Sequence, residues 1–323
     1  MAAGFTAVQG AGLARGAALD LDFHTGPATA QEAPLERHSV SARSRRQPGI
    51  LVFLARDATE RVLCYAKAGL TKAQQPTEVL RCVEFWREQT GHPPADLGFD
   101  SHLTTSAQLA RLTQQGIRFL TLRRRSKKML GALWRRPAGA GRRLTLRSLT
   151  RAYRTPKVLD ERVRLKEYGG ELRQITVTAL GHEAPTLLLT NDLRTGCTAL
   201  VTRYAQRMLI ENGISEAIQF FHLDALSSMV GLKVDFDLQI TLMASALYRL
   251  MAARIGQGYE RAQAKKLFRN LPDLSATVRI EATEVTVTLD KRAHNPYLVA
   301  SGLAEEPTPM PWFGGKQLRL RFA

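Results

Sequence analysis

Only three cysteines, Cys64, Cys82 and Cys197, occur in 323 residues, too few and too scattered for a disulfide framework. No Cys-x-x-Cys pair with further Cys or His marks a zinc site, and His24, His38, His92, His102, His182, His222 and His294 show no paired ligand spacing. A reducing compartment, the cytoplasm with its nucleoid, fits this cysteine usage. Long apolar runs are missing too. The most apolar stretch, Leu238 to Met251, is interrupted by Gln239, Thr241, Ser245 and Arg249, so it reads as a buried helix and not as a membrane span. The Ala- and Gly-rich start, Met1 to Ala18, has no basic residue ahead of an apolar core and does not read as a secretory signal. Ser227-Ser228 lacks the Gly-x-Ser-x-Gly turn of serine hydrolases, and neither a phosphate-binding Gly-rich loop with Lys nor a dinucleotide fingerprint is present.

Acidic residues are scarce relative to basic ones, 29 against 46, which leaves a net charge of +17. The imbalance is local. From Arg118 onward come Arg123-Arg124-Arg125, Lys127-Lys128, Arg135-Arg136, Arg142-Arg143, Arg147, Arg151, Arg154 and Lys157, with no acid before Asp160. Such a run calls for a polyanion, and nucleic-acid phosphate is the counterpart it suits best.

Patterning predicts an α/β chain. A strand over Ala17 to Phe23 gives way to a loop at Gly26-Pro27, Gly49 to Ala55 suits a buried strand, and Arg61 to Ala66 suits its hairpin partner. A helix over Thr77 to Thr90 ends before Gly91, followed by a strand at Leu97 to Asp100, a helix over Ser106 to Gln115 and a strand at Ile117 to Leu122. Between Arg123 and Asn191 the pattern turns to β, with strands at Arg142 to Leu149, Val163 to Lys166, Leu172 to Leu180 and Thr186 to Thr190. Helices resume at Ala199 and over Val230 to Ile255, and a hairpin around Thr283-Glu284 and a strand at Leu318 to Phe322 close the chain.

Three short stretches carry the chemistry. Asp20-Leu21-Asp22 and Phe99-Asp100-Ser101 each put an acid at the end of a strand-like run, where open α/β sheets place their ligands. Tyr204, Arg207 and Glu211 fall at i, i+3 and i+7, one stripe of a helix. Two strand-borne aspartates and a helix-borne glutamate are hard oxygen donors of the kind a pair of magnesium ions needs for phosphoryl transfer. Asp20 and Asp22 share a strand face, so either can be the first acid.

Together these residues resemble insertion-sequence transposases with a DDE catalytic domain of the Tyr-x2-Arg-x3-Glu-x6-Lys signature type. Asp22-Phe23-His24-Thr25 resembles the first-acid motif; Phe99-Asp100-Ser101 with Leu109, Leu112, Gly116 and Phe119 resembles the second; Tyr204, Arg207 and Glu211 resemble the third. The resemblance implies a ribonuclease-H-like core over 17–122 and 195–270, a basic β-rich insertion at 123–194 and C-terminal strands over 271–323, with 1–16 an unstructured leader. It implies that Asp22, Asp100 and Glu211 are catalytic and hold two Mg2+ ions, for which Mn2+ can substitute. It further implies that Tyr204 and Arg207 contact phosphate near the cleaved end, and that the chain cuts and joins DNA as a homodimer on DNA, with no membrane partner. Arg123, Arg124, Arg125, Lys127 and Lys128 are the further DNA contacts expected from the basic run.

The chain departs from the signature twice. Where Lys is expected seven residues after Glu211 stands Ile218, and only about twenty residues precede the first acid, where relatives carry a helical DNA-binding region. These departures raise the expectation of a truncated copy, and of an alternative function as a catalytically silent DNA-binding remnant.

Overall fold

The computed structural model of the chain describes residues 2–14, 16–27, 36–40, 45–101, 103–137, 139–146, 155–180, 184–223 and 231–323. They form two compact units, Met1–Ile218 with His222–Leu242, and Gln219–Phe221 with Met243–Ala323.

The first unit is built on a mixed sheet. Its strands are β1 (Ala18–Pro27), β2 (Glu36–Val40), β3 (Arg45–Asp57), β4 (Leu63–Lys67), β5 (Asp96–Phe99), β6 (Arg118–Leu122), β7 (Arg142–Arg143), β8 (Lys157–Arg164), β9 (Glu171–Thr178) and β10 (Thr186–Thr190). They run in the order β2-β3-β1-β5-β6-β10-β9-β8-β7, with β4 also on β3. β1, β5 and β6 are mutually parallel, and the remaining pairings are antiparallel.

The apolar run of β3 is continuous because both faces of the strand are covered. Leu51, Phe53 and Ala55 point into one core with Leu19, Leu21, Leu97, Phe99 and Phe119, against Val79, Val83 and Trp86 of α2 (Gln75–Thr90) and Leu109 and Leu112 of α3 (Ser106–Gln114). Ile50, Val52 and Leu54 point the other way, against Ile210 and Ile214 of α6 (Leu209–Gln219) and Val234 and Leu238 of α7 (Gly231–Ile255). On that second face Leu120, Ile175 and Leu188 pack on Leu200, Val201 and Tyr204 of α5 (Cys197–Arg207). Each such buried Leu, Ile or Phe stabilises the fold by about 1.5–3 kcal/mol. Local signals agree with the packing. α2 starts with a proline in its first turn and stops at Gly91, whose φ of 81° is the left-handed cap glycine supplies.

Several expectations need correction. The first residues are not an unstructured leader: α1 (Ala2–Gly10) forms, and Phe5 is buried edge-on against Phe85 and Trp86 at 5.4 Å each. Alanine's helix propensity and one aromatic anchor suffice for this. β1 does not stop at a Gly26-Pro27 loop, because β3 pairs with it as far as Pro27 opposite Gly49. A Cβ at Gly49 would come within 2.7 Å of Thr25 and 2.8 Å of the Gly26 carbonyl oxygen, so glycine is what lets the strands stay paired there. The strand expected at Val163 to Lys166 is Lys157–Arg164, and that at Arg142 to Leu149 is only Arg142–Arg143, with 147–150 outside the described residues. The basic run contains a helix, α4 (Lys127–Trp134), capped by Ser126 accepting the Met129 N–H. The segment 123–194 extends the sheet, since β10 pairs with β6 and carries it outward through β9, β8 and β7.

The second unit holds the rest of α7, then α8 (Ala264–Asn270), β11 (Ala276–Ile280), β12 (Glu284–Leu289), α9 (Asn295–Ala300), β13 (Thr308–Met310) and β14 (Lys316–Phe322). Its strands run β11-β12-β14-β13, with the expected hairpin between β11 and β12. The expected C-terminal strands lie on a small core that Ala252, Ile255, Tyr259, Leu267 and Leu271 form.

Candidate active site

The parallel register of β1 and β5 sets Ala18 opposite Asp96 and Asp20 opposite Gly98. Two residues further along, Asp22 and Asp100 reach the same edge of the sheet from neighbouring strands. Each folds back on its own backbone: the Phe23 N–H donates to Asp22 Oδ1 at 2.9 Å and the Ser101 N–H to Asp100 Oδ1 at 2.5 Å.

Asp20 and Asp22 differ in their partners. Asp20 is 1% exposed, and both carboxylate oxygens are taken, Oδ2 by Arg56 Nη2 at 2.7 Å and Oδ1 by Arg203 Nη1 at 2.6 Å. Arg203 also reaches Asp96 at 3.6 Å, and Asp96 in turn meets Arg118 at 3.7 Å. Asp20 is thus the anchor that fastens α5 to the sheet. Asp22 carries the open position at the sheet edge.

Tyr204, Arg207 and Glu211 do not lie on one unbroken helix. α5 ends at Arg207, Met208 forms a turn, and Glu211 sits in the first turn of α6. The break nevertheless keeps Arg207 beside the acids: Nη2 lies 3.2 Å from Asp22 Oδ1 and donates to the Leu21 carbonyl at 3.1 Å, while Nη1 lies 3.8 Å from Glu211 Oε1. Gly98 makes room for this. A Cβ there would meet Asp20 Oδ1 at 3.0 Å, Arg203 at 3.2 Å and Arg207 Cγ at 3.3 Å, so a side chain would require these neighbours to give by a few tenths of an ångström. Arg207 is only 4% exposed and Tyr204 packs in the core under α5, so both face inward. Where the signature has Lys, Ile218 packs against the core beneath α6.

The electrostatics follow from this crowding. Burial pushes the Asp22 carboxyl above the ordinary carboxylate range; Arg207 and the Phe23 N–H oppose the shift, and the charges of Glu211 and Asp100 add to it. Burial works against the charge on Arg207, but Asp22, Tyr204, Asp100 and Glu211 outweigh it and hold the guanidinium more firmly protonated. Burial likewise raises the Tyr204 hydroxyl, with Arg207 opposing and the three acids adding. Three acids therefore share one field with Arg207.

A pH dependence follows. The folded chain holds the Asp22 proton more tightly than the unfolded chain does, so this group's contribution to stability is complete below the unfolded carboxyl's pKa and is lost as pH rises through the folded one. As pH rises above the ordinary carboxyl value of 3.8, the metal-free Asp22→Asn variant should show a flatter stability profile than the wild type in urea unfolding. Parallel profiles would remove Asp22 from the shared field.

From Asp100 and Ser101 an open cleft of about 810 Å³ runs to Leu122, Arg123, Arg124, Arg125, Thr186 and Leu187. It joins the acid edge to the start of the basic run. Arg123 donates to Gln174 Oε1 at 2.5 Å, and partial burial lowers its pKa, so it gains from an anion in the cleft. Arg125 donates to the Pro185 carbonyl at 3.4 Å, and Lys127 and Lys128 stand exposed on the first turn of α4.

Sequence reasoning missed the supports. Besides Arg56 and Arg203 these include Arg173, buried on β9, which forms a two-pronged pair with Asp160 at 2.8 Å for each bond and donates to the Thr195 carbonyl at 2.5 Å. Cys197, at the start of α5, donates to the same Asp160 at 3.1 Å. This second tie holds the other end of α5 on the sheet. The one available signal was the spacing of Arg203 and Arg207, four apart on the helix face that carries the signature.

Asp22, Asp100 and Glu211 offer hard oxygen donors, of which Asp22 is partly withdrawn from water, the donor type that a divalent cation such as Mg2+ takes. Among the described residues no three metal-binding groups stand close enough together to hold an ion as they are placed. No helix of the described residues is long and apolar enough to cross a membrane. In comparison with known proteins, the chain matches no family model and no curated protein.

Proposed function

We propose that this chain is a DDE-type transposase, a nucleic-acid strand-cleaving and strand-joining enzyme with a ribonuclease-H-like core. The observation that carries the reading is the arrival of Asp22 and Asp100 at one sheet edge, with Arg207 and Glu211 set over them and an arginine-lined cleft leading away. Asp22, Asp100 and Glu211 would hold the metal. When bound, Mg2+ supplies an activated water or DNA 3′-hydroxyl and stabilisation of the leaving oxygen.

The chain's own residues do the rest. Arg123, Arg124 and Arg125 draw the phosphate backbone into the cleft, a role for which the planar guanidinium is suited. Arg207, facing inward, balances the clustered carboxylates when the metal is away and orients Asp22 through its bond to the Leu21 carbonyl. Asp20, Arg56 and Arg203 fix α5 on the sheet so that this geometry is held. The substrate is DNA in the cytoplasm, bound by a pair of chains that brings two ends together.

A second reading, a DNA-binding protein that no longer cuts, draws on Ile218, which lies in apolar packing where the signature has a cation for DNA. Metal-dependent nicking of plasmid by the purified chain separates the two. Both readings share one expected result: replacing Arg123, Arg124 and Arg125 together with Gln should flatten the salt dependence of duplex binding by roughly 0.9 in log-log slope for each phosphate no longer neutralised. An unchanged slope would assign the cluster to a solvated face.

A further inference from the structure

Next to the cleft that joins Asp100 to the arginines is a smaller cavity of about 340 Å³ at the N-terminus of α3. Ser101 and Arg123 line both spaces, so the two are neighbours at the strand ends. Arg124 borders both as well.

The walls are unusually polar for a space against a sheet. Thr121, at the end of β6, is 2% exposed, and its hydroxyl has no hydrogen-bond partner. The Thr104 hydroxyl, which lines the same cavity, is also buried and unpartnered. A hydroxyl buried without a bond costs roughly 1–3 kcal/mol, a cost a fold keeps where something else completes the bond. Both can donate. So can the first backbone N–H groups of α3, a nine-residue helix whose cap, Thr105, takes only the Gln108 N–H, at 3.4 Å. These donors, with Arg123 and Arg124 in the same lining, fit a compact anion with several oxygens. One wall residue, Glu167, opposes that charge.

We propose that this cavity is a phosphate subsite, which holds a backbone phosphate of the bound nucleic acid beside the reacting one. It rests on the reading of the chain as a DNA-cleaving enzyme. Ser101, next to Asp100, forms the shared wall, so a strand with one phosphate at the acids has its neighbour within reach of Thr121 and the α3 amides.

The test uses the full chain, inorganic phosphate as one probe and a short DNA duplex as the other. Phosphate, compared with chloride at equal ionic strength, should raise the melting temperature of the wild type. Thr121→Val and Thr104→Val, which preserve shape, should raise the half-saturating phosphate concentration about tenfold, the loss of one hydrogen bond to a charged group. Glu167→Gln should lower it. Duplex affinity should fall by a similar factor in the two valine variants, with the salt slope unchanged because no charge is removed. Equal phosphate responses in wild type and both valine variants would overturn the subsite, even with duplex binding intact. A phosphate response that depends on Thr121 alongside duplex affinity that does not would overturn the backbone assignment. A wild type that binds phosphate but no duplex would instead overturn the DNA reading on which the assignment rests.

Discussion

Asp22→Asn is expected to lower DNA strand cleavage by about three orders of magnitude while leaving a folded protein. Metal-assisted stabilisation of the transition state amounts to several kcal/mol, and each 1.4 kcal/mol is about tenfold in rate. Asparagine keeps an oxygen for Arg207, which also retains the Leu21 carbonyl and Glu211, so the guanidinium is not stranded. Asp100→Asn should behave alike. Single-turnover nicking at saturating magnesium, with circular dichroism melts as the control for folding, checks this. Variants that retain a tenth or more of the wild-type rate would take these aspartates out of the chemistry.

Asp20→Ala should fail in the opposite way, by unfolding. Its carboxylate is 1% exposed and neutralises Arg56, itself 4% exposed, and Arg203 on the other side. Removing one partner of a buried ion pair costs about 3–5 kcal/mol, since it takes a counter-charge away from a guanidinium held out of water. Most single domains have only about 5–15 kcal/mol in hand, so the variant should unfold at far lower urea and lose the docking of α5. A midpoint unchanged in urea would show that Asp20 is no anchor. The contrast between two aspartates two residues apart on one strand face is a sharp check on the assignment of roles.

That contrast marks where the sequence ran out. A period of two says that Asp20 and Asp22 share a face, and says nothing of which is buried. The answer lies in Arg56 and Arg203, which are 36 and 183 residues from Asp20 in the chain. Strands such as β3 and β10 were legible because a strand covered on both faces shows as an unbroken apolar run. α2 and α3 were legible through their apolar spacing and their glycine stops. α4 was hidden because the charges of the basic run drown its short apolar pattern, leaving only the Ser126 cap as a signal. The break at Met208 has no glycine or proline to announce it. Nor does local sequence show that β10 pairs with β6, a pairing of segments far apart that turns an apparent insertion into more of the same sheet.

The central claim is that Asp22, Asp100 and Glu211 make one metal-dependent cleavage centre. Its most direct test is nicking of supercoiled plasmid by the purified full chain, with Mg2+ or Mn2+ against chelator, for the wild type and for Asp22→Asn, Asp100→Asn and Glu211→Gln. The account predicts relaxed plasmid with the wild type only when the metal is present, and none above background with any of the three variants. A wild type that binds plasmid but never nicks it, or nicking that survives the three substitutions, would contradict it.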